Sequence, residues 1–281
     1  MWKQKIGISL SSRYNRPMNE VIEIIAATGF DSVSPIYGAE MSIGEICKKA
    51  RSLGLEIGFL HAPFGKTADL WCGEENKRTQ ALNELIDALR ECGENSIPTM
   101  VVHTWIGFGC EPCITDEGFA SFDLLVDRAE SCGVKIAFEN TEGDEYLMAL
   151  MERYRGREIV GFCWDSGHEM CYNGFRDMLA MYGDRLFVTH LNDNLGVSRF
   201  DGEIFWTDDL HLLPGDGIAD WEAIVQRLKR SKPIETINFE LAIISKPGRH
   251  ENDKYTQMSY EQYFAEAYAR ACKIAHKYTI S

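Results

Sequence analysis

Residues 208–217 read DDLHLLPGDG, placing Asp209 two residues from His211 just ahead of a Pro-Gly-Asp-Gly turn. In an extended segment, side chains two apart point the same way, so this carboxylate and imidazole can serve one ligand site. Asp208 beside them is expected to be solvated or to support an imidazole from behind. Six more short segments carry comparable groups: His61 in LHAPF, His103 in VVHTW, Glu139 in AFENT, Asp165 and His168 in WDSGH, His190 in THLND and Glu240 in NFELA. Five of the chain's seven histidines belong to this set, leaving only His250 and His276 outside it. Glu139 and Glu240 sit inside apolar runs, where an unpaired carboxylate costs several kcal/mol or must take up a proton. A divalent metal ion resolves that cost, because it neutralises carboxylates and accepts neutral imidazole nitrogen as a ligand. With carboxylate and imidazole donors the ion can be Mn, Zn, Mg or Co.

The segments that must position these groups alternate along the whole chain. Short runs rich in Val, Ile and Phe (5–10, 31–36, 56–62, 99–104, 135–141, 159–165, 186–193 and 236–242) read as strands. Stretches of helical length near 18–28, 42–53, 74–92, 117–132, 143–154, 174–182, 219–230 and 258–277 follow them. Several of these helices run into a glycine that leads to the next strand, as at Gly29, Gly54 and Gly133. Eight strand–helix pairs in strict alternation imply an α/β fold with a parallel sheet, and eight is the number that closes into a (β/α)8 TIM barrel. No Pro/Ser-rich linker or charge block divides residues 1–281, so a single domain is expected. An open doubly wound sheet competes, but the SSRYNRPMNE that follows the first strand holds no glycine-rich phosphate loop. In a barrel the C-terminal strand ends carry the active site, and that is where the His, Asp and Glu residues fall.

The chain is strongly acidic, with a formal net charge of −14. It therefore disfavours nucleic acid and anionic membrane surfaces as partners. No apolar run is long enough for a signal peptide or a membrane span, and nine scattered cysteines read as reduced thiols, so a cytoplasmic location is expected. The single CxxC, Cys110 to Cys113, has no second pair to complete a structural zinc site. Trp71, Trp105, Phe108, Trp164, Tyr172 and Trp206 are candidates to wall a pocket against the carbon faces of a sugar. The C-terminal segment EQYFAEAYARACKIAHKY reads as an amphipathic helix that either closes the outer layer or joins a partner chain in a homo-oligomer.

Taken together, HAPF, AFEN, WDSGH, THLND, DDLHLLPGDG-IADW and NFEL resemble the signature segments of the xylose-isomerase-like barrel superfamily. That superfamily includes sugar isomerases, ketose 3-epimerases, inosose isomerases and apurinic endonucleases of the endonuclease IV type. The resemblance to the epimerase branch implies one metal held by Glu139, Asp165, His190 and Glu240, with the two glutamates moving a proton next to a carbonyl through an enediolate. It also implies that His168 contacts substrate oxygens. The substrate would be a small sugar, inositol derivative or hydroxy-ketone. The endonuclease branch implies instead a zinc-dependent phosphodiesterase, with His61, His103, His168, Asp209 and His211 as further ligands. In the epimerase reading those residues are substrate contacts, joined by Trp105 and by Arg199, the arginine nearest to the position after strand seven where ketose epimerases commonly carry one. The acidic residues of the strand-end loops outnumber the basic ones, which favours a small polyol over a duplex.

Overall fold

A computed structural model describes residues 4–108 and 113–279, so Cys110 of the CxxC lies outside the described residues. Nine strand segments run parallel: β1 (Lys5–Ser9), β2 (Ser32–Ser34), β3 (Glu56–Ile57), β4 (Leu60–His61), β5 (Thr99–His103), β6 (Lys135–Glu139), β7 (Val160–Asp165), β8 (Leu186–His190) and β9 (Thr236–Phe239). They form two curved ladders, β3-β2-β1-β9 and β4-β5-β6-β7-β8. Parallel bridges Ile36↔His61 and Leu191↔Phe239 join the ladders at both edges. The result is the TIM barrel that the alternation predicts.

The expected third strand, 56–62, is broken in two. Gly58 and Phe59 separate β3 from β4, and Gly58 leaves room for Ser34, whose Oγ would lie 2.8 Å from a Cβ at that position. Phe59 turns into the barrel, where it packs with Val101, Ala137, Cys163 and Val188. The intervening residues Met100, Val102, Ile136, Phe138, Phe162 and Trp164 belong instead to the larger core between sheet and helices. This is the period of two expected of strands, and it fixes the site. The next inward residues after the Val101, Ala137, Cys163 and Val188 layer are His103, Glu139, Asp165 and His190.

Helices α1 (Met18–Thr28), α2 (Ile43–Ser52), α3 (Glu75–Glu94), α4 (Asp116–Cys132), α5 (Asp144–Arg153), α6 (Ser166–Cys171), α7 (Met178–Tyr182), α8 (Trp221–Arg230), α9 (Asp253–Thr256) and α10 (Tyr260–Thr279) make the outer layer. Ser42 and Glu45 form a capping box on α2, and the Asp220 side chain caps α8 through Glu222 N and Ala223 N. The C-terminal helix α10 buries Tyr263, Phe264, Ala267 and Ala271 and packs on α1, α8 and β1, so it completes the outer layer. Among the described residues no helix is long and apolar enough to cross a membrane.

Candidate metal centre

Glu139, Asp165, His190 and Glu240 come from the ends of four successive strands, and one ligand atom of each lies within 4.8 Å of the others. His190 Nδ1 is 2.8 Å from Glu139 Oε1 and 3.0 Å from Glu240 Oε2. Two more groups adjoin this one. His61 and His103 meet the other oxygen of Glu139, with their Nε2 atoms 3.4 and 3.0 Å from Oε2. His168, Asp209 and His211 form the third group, with His211 Nε2 2.7 Å and His168 Nε2 3.7 Å from Asp209 Oδ2.

The backbone sets which ring nitrogen faces inward. Nδ1 of His61 lies 2.9 Å from Ala62 O, that of His168 3.0 Å from Asn140 O and that of His211 3.0 Å from Glu240 O. A carbonyl only accepts, so Nδ1 carries the proton and Nε2 is turned toward the carboxylates. Asn140 and Asn192 hold Asp165 from behind. Asn140 Oδ1 accepts from Asp165 N at 2.8 Å, and Asn192 Nδ2 donates to both Asp165 carboxylate oxygens at 3.2 and 3.1 Å. Sequence reasoning passed over these two asparagines; the signal was their place directly after Glu139 and two residues after His190.

The loop that carries Asp209 and His211 is built on Asp193. Its buried carboxylate accepts from Gly215 N (2.7 Å), Ala219 N (3.0 Å) and Trp221 Nε1 (3.0 Å). A Cβ at Gly217 would lie 2.2 Å from Asn194 O and 2.3 Å from Asp193 Oδ1, so only glycine lets the turn close against this strand end. His211 itself takes a left-handed backbone, φ 49°, which costs on the order of 1 kcal/mol for a non-glycine residue. That conformation brings its ring onto Asp209. Asp208 differs from expectation. It is buried, accepts from Ser198 N at 2.9 Å and pairs with Arg249, because a loop folded back on the barrel leaves this side chain inside.

The electrostatics follow from burial among mutually compensating charges. Burial alone would raise the Glu139 and Glu240 carboxyls, but the charge of His190 beside Glu139 outweighs it and holds that carboxyl well below the usual range. At Glu240, His190 and His211 outweigh burial and pull it down to about 2. Burial dominates at His103, which falls to about 4 and is a neutral donor, and at Asp165, which rises to about 6. At His168 the carboxylates of Asp165 and Asp209 overcome burial and raise it to about 10; at His211, Asp209 does the same, to about 9. These carboxylates therefore need cations, and imidazoles or metal ions can provide them. Glu139 Oε2 and His103 Nε2 are buried 3.0 Å apart without forming an aligned hydrogen bond, as expected of two atoms turned toward one ion. The oxygen and imidazole donor set fits a divalent metal.

A cavity of about 420 Å³ opens above this floor. His61, His103, His168, Asp209, His211 and Glu240 line it, with Phe108, Tyr172 and Trp206 as aromatic walls; Glu139, Asp165 and His190 lie beneath and are fully buried. Trp105 lines a neighbouring cavity and stacks on Tyr146, ring centroids 5.0 Å apart. Arg199 lines neither cavity: it pairs with Asp201 and Glu203 and lies over Phe205. Trp71 and Trp164 are core residues, because their indole N–H groups find buried partners in Thr104 O and Glu169 Oε2 at 2.9 Å each.

With this geometry in place, the relationships to known proteins can be read. The model of the xylose isomerase-like TIM barrel family matches residues 22–244, and the chain belongs to that family. It is 32% identical over 163 residues to the uncharacterized protein y4fM of Sinorhizobium fredii, a match covering 56% of this chain and 46% of that one. The chain thus spans about half the length of this curated relative. It is 27% identical over 249 residues to the uncharacterized protein MJ1311 of Methanocaldococcus jannaschii, covering 80% of this chain and 79% of that one. Among solved structures, the IOLI protein with a binding zinc atom superposes with a TM-score of 0.77 at 18% identity, over 99% of this chain and 100% of that one. The D-psicose 3-epimerase of Clostridium cellulolyticum H10, solved with D-tagatose, gives 0.74 at 15% identity over the same shares of the two chains. At these identities the likeness concerns the fold.

Proposed function

We propose that this chain is a divalent-metal-dependent isomerase or epimerase of a small sugar, inositol derivative or hydroxy-ketone. The observation that carries the reading is the pairing of Glu139 and Glu240, two carboxylates from different strands that share one imidazole, His190, at the floor of a polar cavity. A metal held by Glu139, Asp165, His190 and Glu240 would supply Lewis-acid stabilisation of the oxyanion that develops when a proton leaves the carbon beside a carbonyl. Glu240, which faces the cavity, takes that proton on a carboxylate oxygen. Glu139 is the second carboxylate: in its protonated form it delivers its own proton to another face or carbon, and exchange with solvent then returns both carboxyls to their starting state. His168 donates from Nε2 to a substrate oxygen, His211 Nε2 holds Asp209 beside it, and the aromatic walls exclude water. Solved relatives of the same fold include a zinc-binding protein and a ketose 3-epimerase, which supports both the metal and the substrate class.

The test is solvent-proton exchange. Protein loaded with Mn, Co, Mg or Zn is incubated with ketoses and inososes in deuterated water, and label in the substrate is followed by NMR. The wild type exchanges a carbon-bound proton, and Glu240→Gln loses that exchange. Equal exchange in both proteins would remove Glu240 from the chemistry. The three adjoining ligand groups favour one second reading, a zinc phosphodiesterase. Salt-sensitive cleavage of an abasic duplex, with no exchange into any sugar, would replace the first reading with it.

A further inference from the structure

The three ligand groups are not equivalent. Among the described residues, Glu139, Asp165 and Glu240 form ion pairs with imidazoles alone. The third group already holds a fixed cation: Lys246 Nζ lies 3.1 Å from Asp209 Oδ2, the same oxygen that faces His211 and His168. Both side chains are largely buried, Lys246 at 15% and Asp209 at 7% exposure. The ammonium also sits 5.6 Å from the Trp206 ring centroid, on the side where the ring's negative face stabilises a cation.

This placement is built into the fold. Ala242 N donates to His211 O at 2.9 Å, tying the segment after β9 to the Asp209 loop. The fully buried Asn252 then clamps the two, donating from Nδ2 to Leu210 O at 3.0 Å and Ala242 O at 2.8 Å. Lys246 is thus held on a braced segment, with its charge delivered to one carboxylate oxygen.

We infer that Lys246 takes the place of a metal ion in the His168, Asp209 and His211 group, so that this group does not fit a metal in the native chain and gains one when the ammonium is removed. An ion ligated by Asp209 Oδ2 would lie roughly 2 Å from that oxygen. It would then share the oxygen with an ammonium in a partly desolvated site, where like charges at such range repel strongly. Lys246 neutralises Asp209 without any ion, and the imidazoles of His168 and His211 that face the same oxygen remain in the cavity lining. A three-ion hydrolytic cluster would need this third group, so its closure favours proton transfer over phosphodiester cleavage. The inference rests on the proposed four-ligand metal site for its functional meaning, but not for its test.

The test counts ions. Full-length protein is stripped with chelator, titrated with zinc and analysed for bound metal after equilibrium dialysis, with cobalt spectra reporting coordination. Lys246→Met should bind one more ion per chain than the wild type, and His211→Ala in that background should remove the gain. Lys246→Arg, which keeps the cation, should match the wild type, and His211→Ala alone should cost the wild type nothing. No gain in Lys246→Met, or an ion lost from the wild type on His211→Ala, overturns the inference. The second comparison decides even if Lys246→Met fails to fold. Asp165→Asn separates the two ideas: if it costs the wild type no ion, the four-ligand reading fails, while the difference between Lys246→Met and wild type still judges the role of Lys246.

Discussion

The two walls of the barrel interior are built from different chemistry at the same heights. From β5 to β8 the inward residues form a layer of Val101, Ala137, Cys163 and Val188, and above it a layer of His103, Glu139, Asp165 and His190. From β9 through β1 to β2, the corresponding positions are Asn238, Gly7 and Ser32, then Glu240, Ser9 and Ser34. One wall carries most of the ionisable groups and fills its half of the barrel. The other is nearly stripped of side-chain volume, and Ser32 Oγ, Ser34 Oγ and Asn238 Oδ1 have no protein partner. Ser9 and the loop after it line the cavity above the carboxylates. One wall therefore carries the candidate ligands and the other leaves room, and among the described residues Glu240 brings a carboxylate to the open side.

The sharpest way to break this contrast is to remove charge from the ligand wall. Glu139→Gln keeps the volume but withdraws a carboxylate that meets His190, His103 and His61. If Glu139 acts as proposed, turnover should fall about a thousandfold or more, since an acid–base group and a metal ligand would be lost together. Far-UV circular dichroism should keep the barrel signature. Turnover near the wild-type level would show that the buried wall is structural and that chemistry belongs to the cavity-facing residues alone.

A smaller effect is expected on the open wall. A Cβ at Gly7 would lie 2.4 Å from Ser32 Oγ and 2.9 Å from Asn238 Oδ1. Gly7→Ala should therefore destabilise the fold by about 1–3 kcal/mol through overpacking, measured as a lower midpoint in urea at unchanged slope. Ser32→Ala alone should be close to neutral, because the hydroxyl it deletes is unpartnered. In the double mutant the loss should be largely recovered. Additive losses instead would place the strain in the β1 backbone rather than in the contact between walls.

Much of this was legible in the sequence for a physical reason. Strand period and the rule that barrel chemistry gathers at strand C-termini are both local, so Glu139, Asp165, His190 and Glu240 could be placed on one face before any coordinates. What escaped were pairings set by distant segments. Asp208 reads as a solvated loop acid until Arg249, 41 residues on, is seen beside it. Trp164 reads as a pocket wall until Glu169 claims its N–H. Lys246 is one of several loop cations in the sequence, and contacts between distant segments, the Asn252 clamp among them, hold its segment against the Asp209 loop. The break at Gly58–Phe59 was hidden for a related reason: a run with strand propensity does not show that the chain must kink to turn a phenylalanine inward.

The subtlest test concerns Glu142, on the loop after β6 at the edge of the ligand wall. Unlike its neighbours it has no cation in hydrogen-bond contact among the described residues: Oε1 accepts from Gly107 N and Oε2 is buried without a partner there. Burial raises its carboxyl to about 7, with the Gly107 hydrogen bond only partly offsetting that. The folded chain therefore keeps this proton at a pH where the unfolded chain, ionising near 4.5, has lost it. Stability falls as pH rises through that window and levels off once the folded carboxyl has ionised. Glu142→Gln removes the dependence, so between about pH 5 and about pH 8 the variant should lose less stability than wild type, by about 1–2 kcal/mol after allowing for solvent from the cavity. Urea denaturation at the two pH values measures it. Parallel losses in both proteins would mean that Glu142 is ionised and paired, and that the ligand wall compensates its charges without exception. A smaller loss in the variant would confine that compensation to the groups clustered around His103, His190 and Asp209.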